Sequence, residues 1–80
     1  LDFQKIDFVT LVKDVLLSFS DQLEFLSITL ELNTPESVFV EGDHFRLEQM
    51  VSNVISNAIK EGEGKPIIVN IKAIEKYMVL

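Results

Sequence analysis

Residues 43–60, DHFRLEQMVSNVISNAIK, restrict the fold of this chain more than any other segment. Leu47, Met50, Val51, Val54, Ile55, Ala58 and Ile59 recur at three- and four-residue steps, so a helix gathers them on one face. Asp43 stands where an N-cap is needed, and Gly62 where such a helix stops. A helix with one apolar face folds only against something that covers it. The rest of the chain must supply that cover.

It does so with a second helix and several short strands. In FVTLVKDVLLSFSDQLEFL, Phe8, Leu11, Val12, Val15, Leu16, Phe19 and Leu23 keep the helical period, with Asp7 as N-cap. LDFQKI before it reads as a short strand. SITLELN alternates strictly, with Ile28, Leu30 and Leu32 on one side, and predicts a half-buried strand. NTPES is a turn, and VFV at 38–40 a second short strand. After EGEGKP, IIVNIKAI alternates again through Ile67, Val69, Ile71 and Ala73, and YMVL begins a further strand. The order predicts an α+β, two-layer sandwich, with both helices packed on one face of a mixed sheet.

Composition narrows the function. Eighty residues make one domain or part of one. Seven Lys+Arg against thirteen Asp+Glu leave a net charge of −6, which repels phosphate backbones and argues against non-specific nucleic-acid binding. The chain has no cysteine, so disulfides, thiolate zinc sites and cysteine nucleophiles are excluded. Hydrophobic residues form 48% of the chain, which excludes disorder as its default state. No apolar run approaches the roughly 18 residues that span a bilayer. A domain this small buries only about 60–65% of its unfolded surface. Some apolar surface is therefore expected to remain for a partner, or for the rest of a larger domain, to cover.

The polar side of the second helix is where chemistry is expected. Asn53 and Asn57 lie one turn apart on one face, with Gln49 a turn before and Lys60 nearly a turn after. Asn costs about 0.5–0.7 kcal/mol relative to Ala inside a helix, so two stacked mid-helix need a reason. A solvated face that carries Asn by chance satisfies the spacing. So does a stripe facing a ligand: Asn carbonyl oxygens suit Mg²⁺ and the Lys ammonium suits phosphate.

Asp43, Arg46, Leu47, Gln49, Asn53, Asn57, Ala58 and Lys60 together resemble the N-box of sensor histidine kinases. IDFVTLVKDVLLSF is similar to the helix that opens their ATP-binding domain, and SITLELNTPESVFVEGD to the strand–turn–strand before the N-box. The resemblance runs along essentially the whole chain. It implies a partial Bergerat-type fold that binds ATP and Mg²⁺. It further implies that Asn57 coordinates the metal, that Asn53 sits beside metal and phosphates, and that Lys60 contacts a phosphate. Gyrase-like ATPases and the related heat-shock chaperones place a Glu where Asn53 stands, as a base for water. An Asn cannot accept a proton at neutral pH, which favours kinase over hydrolase.

The sequence also departs from the pattern. The glycine-rich Asp-x-Gly-x-Gly stretch that reads adenine, and the lid beyond it, are not among these residues. Neither is a His-Glu-x-x-Thr-Pro phospho-acceptor. Glu61 replaces the usual aromatic residue after Lys60, and EGEGK is short and acidic. His44 lacks an acceptor context and reads as an exposed first helical residue. Glu41, Asp43 and His44 fit a helix cap better than a metal cluster. Gly64-Lys65 is not a P-loop.

The expectation is therefore the front part of a cytoplasmic histidine-kinase ATP-binding domain, with a parent that is itself free or membrane-anchored. That parent autophosphorylates a histidine on a dimerisation and phospho-acceptor domain and passes the phosphate to a response regulator. Residues 1–80 alone are expected to be inactive, to bind ATP weakly, and to form a homodimer through exposed strand edges or helix faces. The alternative is a non-catalytic interaction module on the same scaffold.

Overall fold

The computed structural model describes residues 4–72. Within them run β1 (Gln4–Asp7), α1 (Phe8–Ser18), α2 (Ser20–Phe25), β2 (Leu30–Asn33), β3 (Phe39–Gly42), α3 (His44–Glu61) and β4 (Ile67–Asn70). The expected strand at YMVL, the Ala73–Ile74 end of the last alternating run and the first three residues of LDFQKI lie outside the described residues.

Each long helix starts directly from a strand through an aspartate. Asp7 keeps extended backbone, and its carboxylate accepts the Val9 N–H (3.1 Å) and the Thr10 hydroxyl (3.1 Å). Partial desolvation pushes its pKa up. Hydrogen bonds from the Thr10 hydroxyl and from backbone at Val38, Thr10 and Val9 outweigh that and hold it below the usual carboxylate value. Asp43 caps α3, its carboxylate accepting the N–H groups of Phe45 (2.9 Å) and Arg46 (3.3 Å).

The first helix is not continuous. Its predicted span breaks at Phe19, and serine hydroxyls account for the break. Ser18 Oγ donates to the Val15 carbonyl at 2.6 Å, and Ser20 Oγ to the Leu17 carbonyl at 2.8 Å. Both bonds compete with the helical ladder, and the Phe19 N–H tightens onto the Leu16 carbonyl (3.1 Å). The short α2 then turns Leu23 into the core while Phe25 stays exposed.

The chain leaves α2 through Ser27, whose φ is +55°. The Ile28 N–H bonds the Leu23 carbonyl (2.9 Å) and the Ser27 N–H bonds the Glu24 carbonyl (3.1 Å), which is the Schellman pattern. Buried Leu23 and Ile28 supply the apolar pair that accompanies it. Ser27 is thus a helix stop, and the strand predicted from residue 27 begins only at Leu30.

The α+β architecture holds, but the described strands are divided between two small sheets. β1 pairs antiparallel with β3, Gln4 opposite Gly42 and Asp7 opposite Phe39. β2 pairs parallel with β4, Leu30 opposite Ile67 and Asn33 opposite Asn70. A parallel pair needs a long crossover, here β3 and α3. α1 and α3 contact each other, and the core forms between helices and strands around Val9, Val12 and Ile55, each only 2% exposed. Among the described residues no polar or charged side chain is buried.

α3 ends at Gly62, but not in the left-handed conformation that usually explains a terminal glycine: its φ is −78°. Space explains it instead, because a Cβ there would lie 2.5 Å from the Ala58 carbonyl oxygen. The next turn has Glu63 and Gly64 both at positive φ and is closed by the Lys65 N–H on the Gly62 carbonyl (2.9 Å).

The two stops predict opposite responses. Ser27→Gly relieves a left-handed L-residue and should raise stability by up to about 1 kcal/mol. Gly62→Ala should lower it by about 1–3 kcal/mol, although Ala is the better helix former, because the added methyl meets backbone. Urea unfolding of the two variants checks both signs. A stabilised Gly62→Ala would show that steric crowding does not fix the end of α3.

Candidate functional site

α3 carries the site, and its burial sets the geometry. Val51, Ile55 and Ile59 are buried four residues apart, which anchors one row of the helix to the core. At about 100° per residue, Asn53 and Asn57 each lie about 160° around the helix from Ile55. Lys60 lies about 140° away and Arg46 about 180°. All four are exposed, as is Gln49. The structure therefore brings Asn53, Asn57 and Lys60 onto one solvent-facing stripe over two turns. None of the three engages a side-chain hydrogen-bond or ion-pair partner among the described residues.

The apolar face is narrower than the periodicity predicted. Val54 is 61% exposed and Met50 38%. They sit about 100° and 140° from Ile55, too far round for the core to reach. Instead they edge a groove of about 370 Å³ between α3 and β4, with Phe8, Val12, Ile67 and Ile68 among its walls. The Asn stripe thus runs beside an apolar cleft. Next to Asn53, Arg46, Gln49 and Met50 border a separate, open depression. The sequence reading assigned no role to Arg46. Its seven-residue spacing from Asn53, two turns on the same side, is the signal that finds it.

The other candidates resolve simply. His44 is the exposed first residue of α3, its Nδ1 4.0 Å from a Glu48 carboxylate oxygen. Asp43 is committed to the cap. Among the described residues no group of three His, Cys, Asp or Glu side chains is placed to hold a metal ion. Two polar side chains that sequence reasoning passed over meet across the parallel strands: Asn33 Nδ2 donates to Asn70 Oδ1 at 3.0 Å and to a Glu31 carboxylate oxygen at 2.8 Å. Among the described residues no helix is long and apolar enough to cross a membrane.

The stripe has defined chemical scope. Asn offers a neutral, hard carbonyl oxygen, and Mg²⁺ takes six oxygens while keeping several waters. Two Asn on one helix fill part of such a shell and leave the rest to water and phosphate. Lys60 offers a point charge. It also stands in the last turn of α3, where a cation favours the helix dipole.

The chain matches no family model. No curated protein is significantly similar to it. Solved structures are. The nucleotide-free catalytic domain of histidine kinase ThkA superposes with a TM-score of 0.88 at 23% identity, over 94% of this chain and 53% of that one. A second nucleotide-free form of ThkA gives a TM-score of 0.81 at 26% identity, over 88% of this chain and 50% of that one. Histidine kinase AdeS of Acinetobacter baumannii gives 0.81 at 28% identity, over 95% of this chain and 38% of that one. This chain is therefore built on the fold of histidine-kinase catalytic domains and spans about half the length of the ThkA structures it matches.

Proposed function

We propose that α3 is the Mg·ATP-holding helix of a histidine-kinase ATP-binding domain in two-component signalling. The observation that carries the reading is the exposed Asn53–Asn57–Lys60 stripe, its side chains unengaged among the described residues, on this fold. The donor set fits the ion: neutral oxygens a turn apart, at an exposed surface where little desolvation opposes binding. Asn57 holds the metal, Asn53 lies beside it, and Lys60 takes a phosphate oxygen. Mg²⁺, when bound, offsets phosphate charge that a chain of net charge −6 otherwise repels.

Asn53 gives the site its direction. It offers a carbonyl oxygen and an amide N–H₂ but no base, so this chain holds and orients nucleotide without activating water. That favours transfer to a protein acceptor, a histidine on a separate dimerisation domain, and onward to a response regulator. The acceptor and the adenine-reading groups belong to other parts of such a kinase.

Two measurements on the full-length protein test the reading. Asn57→Ala should weaken Mg·ATP binding at least about tenfold, roughly 1.4 kcal/mol, with the fold intact because the position is exposed. The difference between variant and wild type should vanish in EDTA. Calorimetry that finds equal Mg·ATP affinity in the two proteins removes Asn57 from the site. Asn53→Glu introduces a base beside the phosphates. ATP hydrolysis should rise by less than about tenfold, since water must also be oriented. A switch to efficient turnover in a phosphate-release assay would show that this one residue decides the chemistry.

A further inference from the structure

β2 is bonded along one side. The Thr29 and Asn33 carbonyls accept the Ile67 N–H (2.8 Å) and the Ile71 N–H (2.9 Å) from the β4 segment. Backbone groups alternate sides along a strand, so the N–H and C=O of Leu30 and Leu32 face away from β4. Among the described residues no strand meets them there. The LELN segment also lacks the Pro or Lys that commonly blunts an exposed edge.

That edge borders an apolar groove of about 400 Å³, where the side chains of Leu30 and Leu32 meet Leu16, Leu17 and Leu23 of the helices. Leu17 is 68% exposed, and Phe25 at the end of α2 is 86% exposed. The groove shares no lining residue with the cleft beside α3, so its occupant is independent of the Mg·ATP reading.

The surrounding charge selects that occupant. α1, α2 and β2 carry one cation, Lys13, against Asp14, Asp21, Glu24 and Glu31. Neither helix has a basic residue in its last turn to offset the negative end of its dipole. A second copy of this chain fits poorly. A two-fold antiparallel pairing that uses both Leu30 and Leu32 sets Glu31 directly opposite its own copy, where like charges repel. A basic strand instead finds a partner in Glu31. Its carboxylate takes one Asn33 amide proton (2.8 Å) and keeps acceptor sites to spare.

We infer that the free edge of β2 receives an extended, basic segment of a partner polypeptide as an added strand, its aliphatic residues alternating with Lys or Arg. Main-chain hydrogen bonds to Leu30 and Leu32 hold the segment, and alternate side chains give it specificity. Its aliphatic residues enter the leucine groove, and its cations stand on the opposite face beside Glu31.

The probe is an acetylated heptapeptide of alternating Lys and Val. One control has the same composition as a Lys block followed by a Val block, and the other alternates Glu with Val. Binding to the full-length protein is followed by fluorescence anisotropy and by amide hydrogen exchange. The probe should bind, and at saturation it should slow exchange of the Leu30 and Leu32 amides at least about tenfold. Neither control should do so. Glu31→Lys should weaken the probe at least about fivefold, and Leu17→Gln about threefold or more. Both positions are exposed, so the fold should hold in each variant. No binding of the probe, or a control that binds as tightly, overturns the inference. So do Leu30 and Leu32 amides that are already protected without peptide. Protection that rises with protein concentration makes a second copy the occupant, and protection that does not makes it a segment of the same chain.

Discussion

The packing of α3 against α1 is the contact on which the remaining structure depends. Val51, Ile55 and Ile59 are the buried residues of an 18-residue helix whose opposite side must stay wet. Val9 and Val12 of α1 meet them in the core. Fully burying an aliphatic side chain contributes about 1.5–3 kcal/mol, so this narrow row dominates what holds α3 in place. Neither small sheet is independently stable at two strands. Both need the helical layer, and the helical layer is oriented by where the two strand-to-helix joints release it.

Those joints are electrostatic as much as steric. Asp7, the last residue of β1, and Asp43, the residue after β3, satisfy otherwise orphaned N–H groups and place a negative charge at the positive end of a helix. Part of the acidic excess is therefore structural. Lys60 at the other end of α3 completes the same arrangement. Arg46, in the first turn, runs against it.

Much of this was legible in the sequence for a physical reason: caps, helical period and the exposed stripe are all local. Asp7, Asp43 and the Asn53–Asn57–Lys60 spacing need only residues a few positions away. The α+β layering followed from the order of the patterns. What was not legible depended on competition or distance. The break at Phe19 comes from the Ser18 and Ser20 hydroxyls taking carbonyls that the ladder would use, inside a period that does not falter. Ser27 occupies a left-handed position that no glycine marks. The partition into an antiparallel β1–β3 pair and a parallel β2–β4 pair joins residues more than thirty positions apart, which alternation cannot encode. Met50 and Val54 were misplaced because apolar periodicity says which way a side chain points, not how far round the helix the core extends.

The buried row of α3 and its Asn pair share the same four-residue step on opposite sides of one rigid rod. They behave as a key and its bit, and no local rearrangement re-aims one without the other. A single residue inserted between Leu47 and Asn57 turns everything beyond it by about 100°. Such a lesion swings the stripe off its heading and drags the core row with it. The segment is thus indifferent to many side-chain exchanges but intolerant of any change in length. A change in chain length along this part of the molecule should be tolerated best in the turn between Gly62 and Lys65, beyond the end of α3.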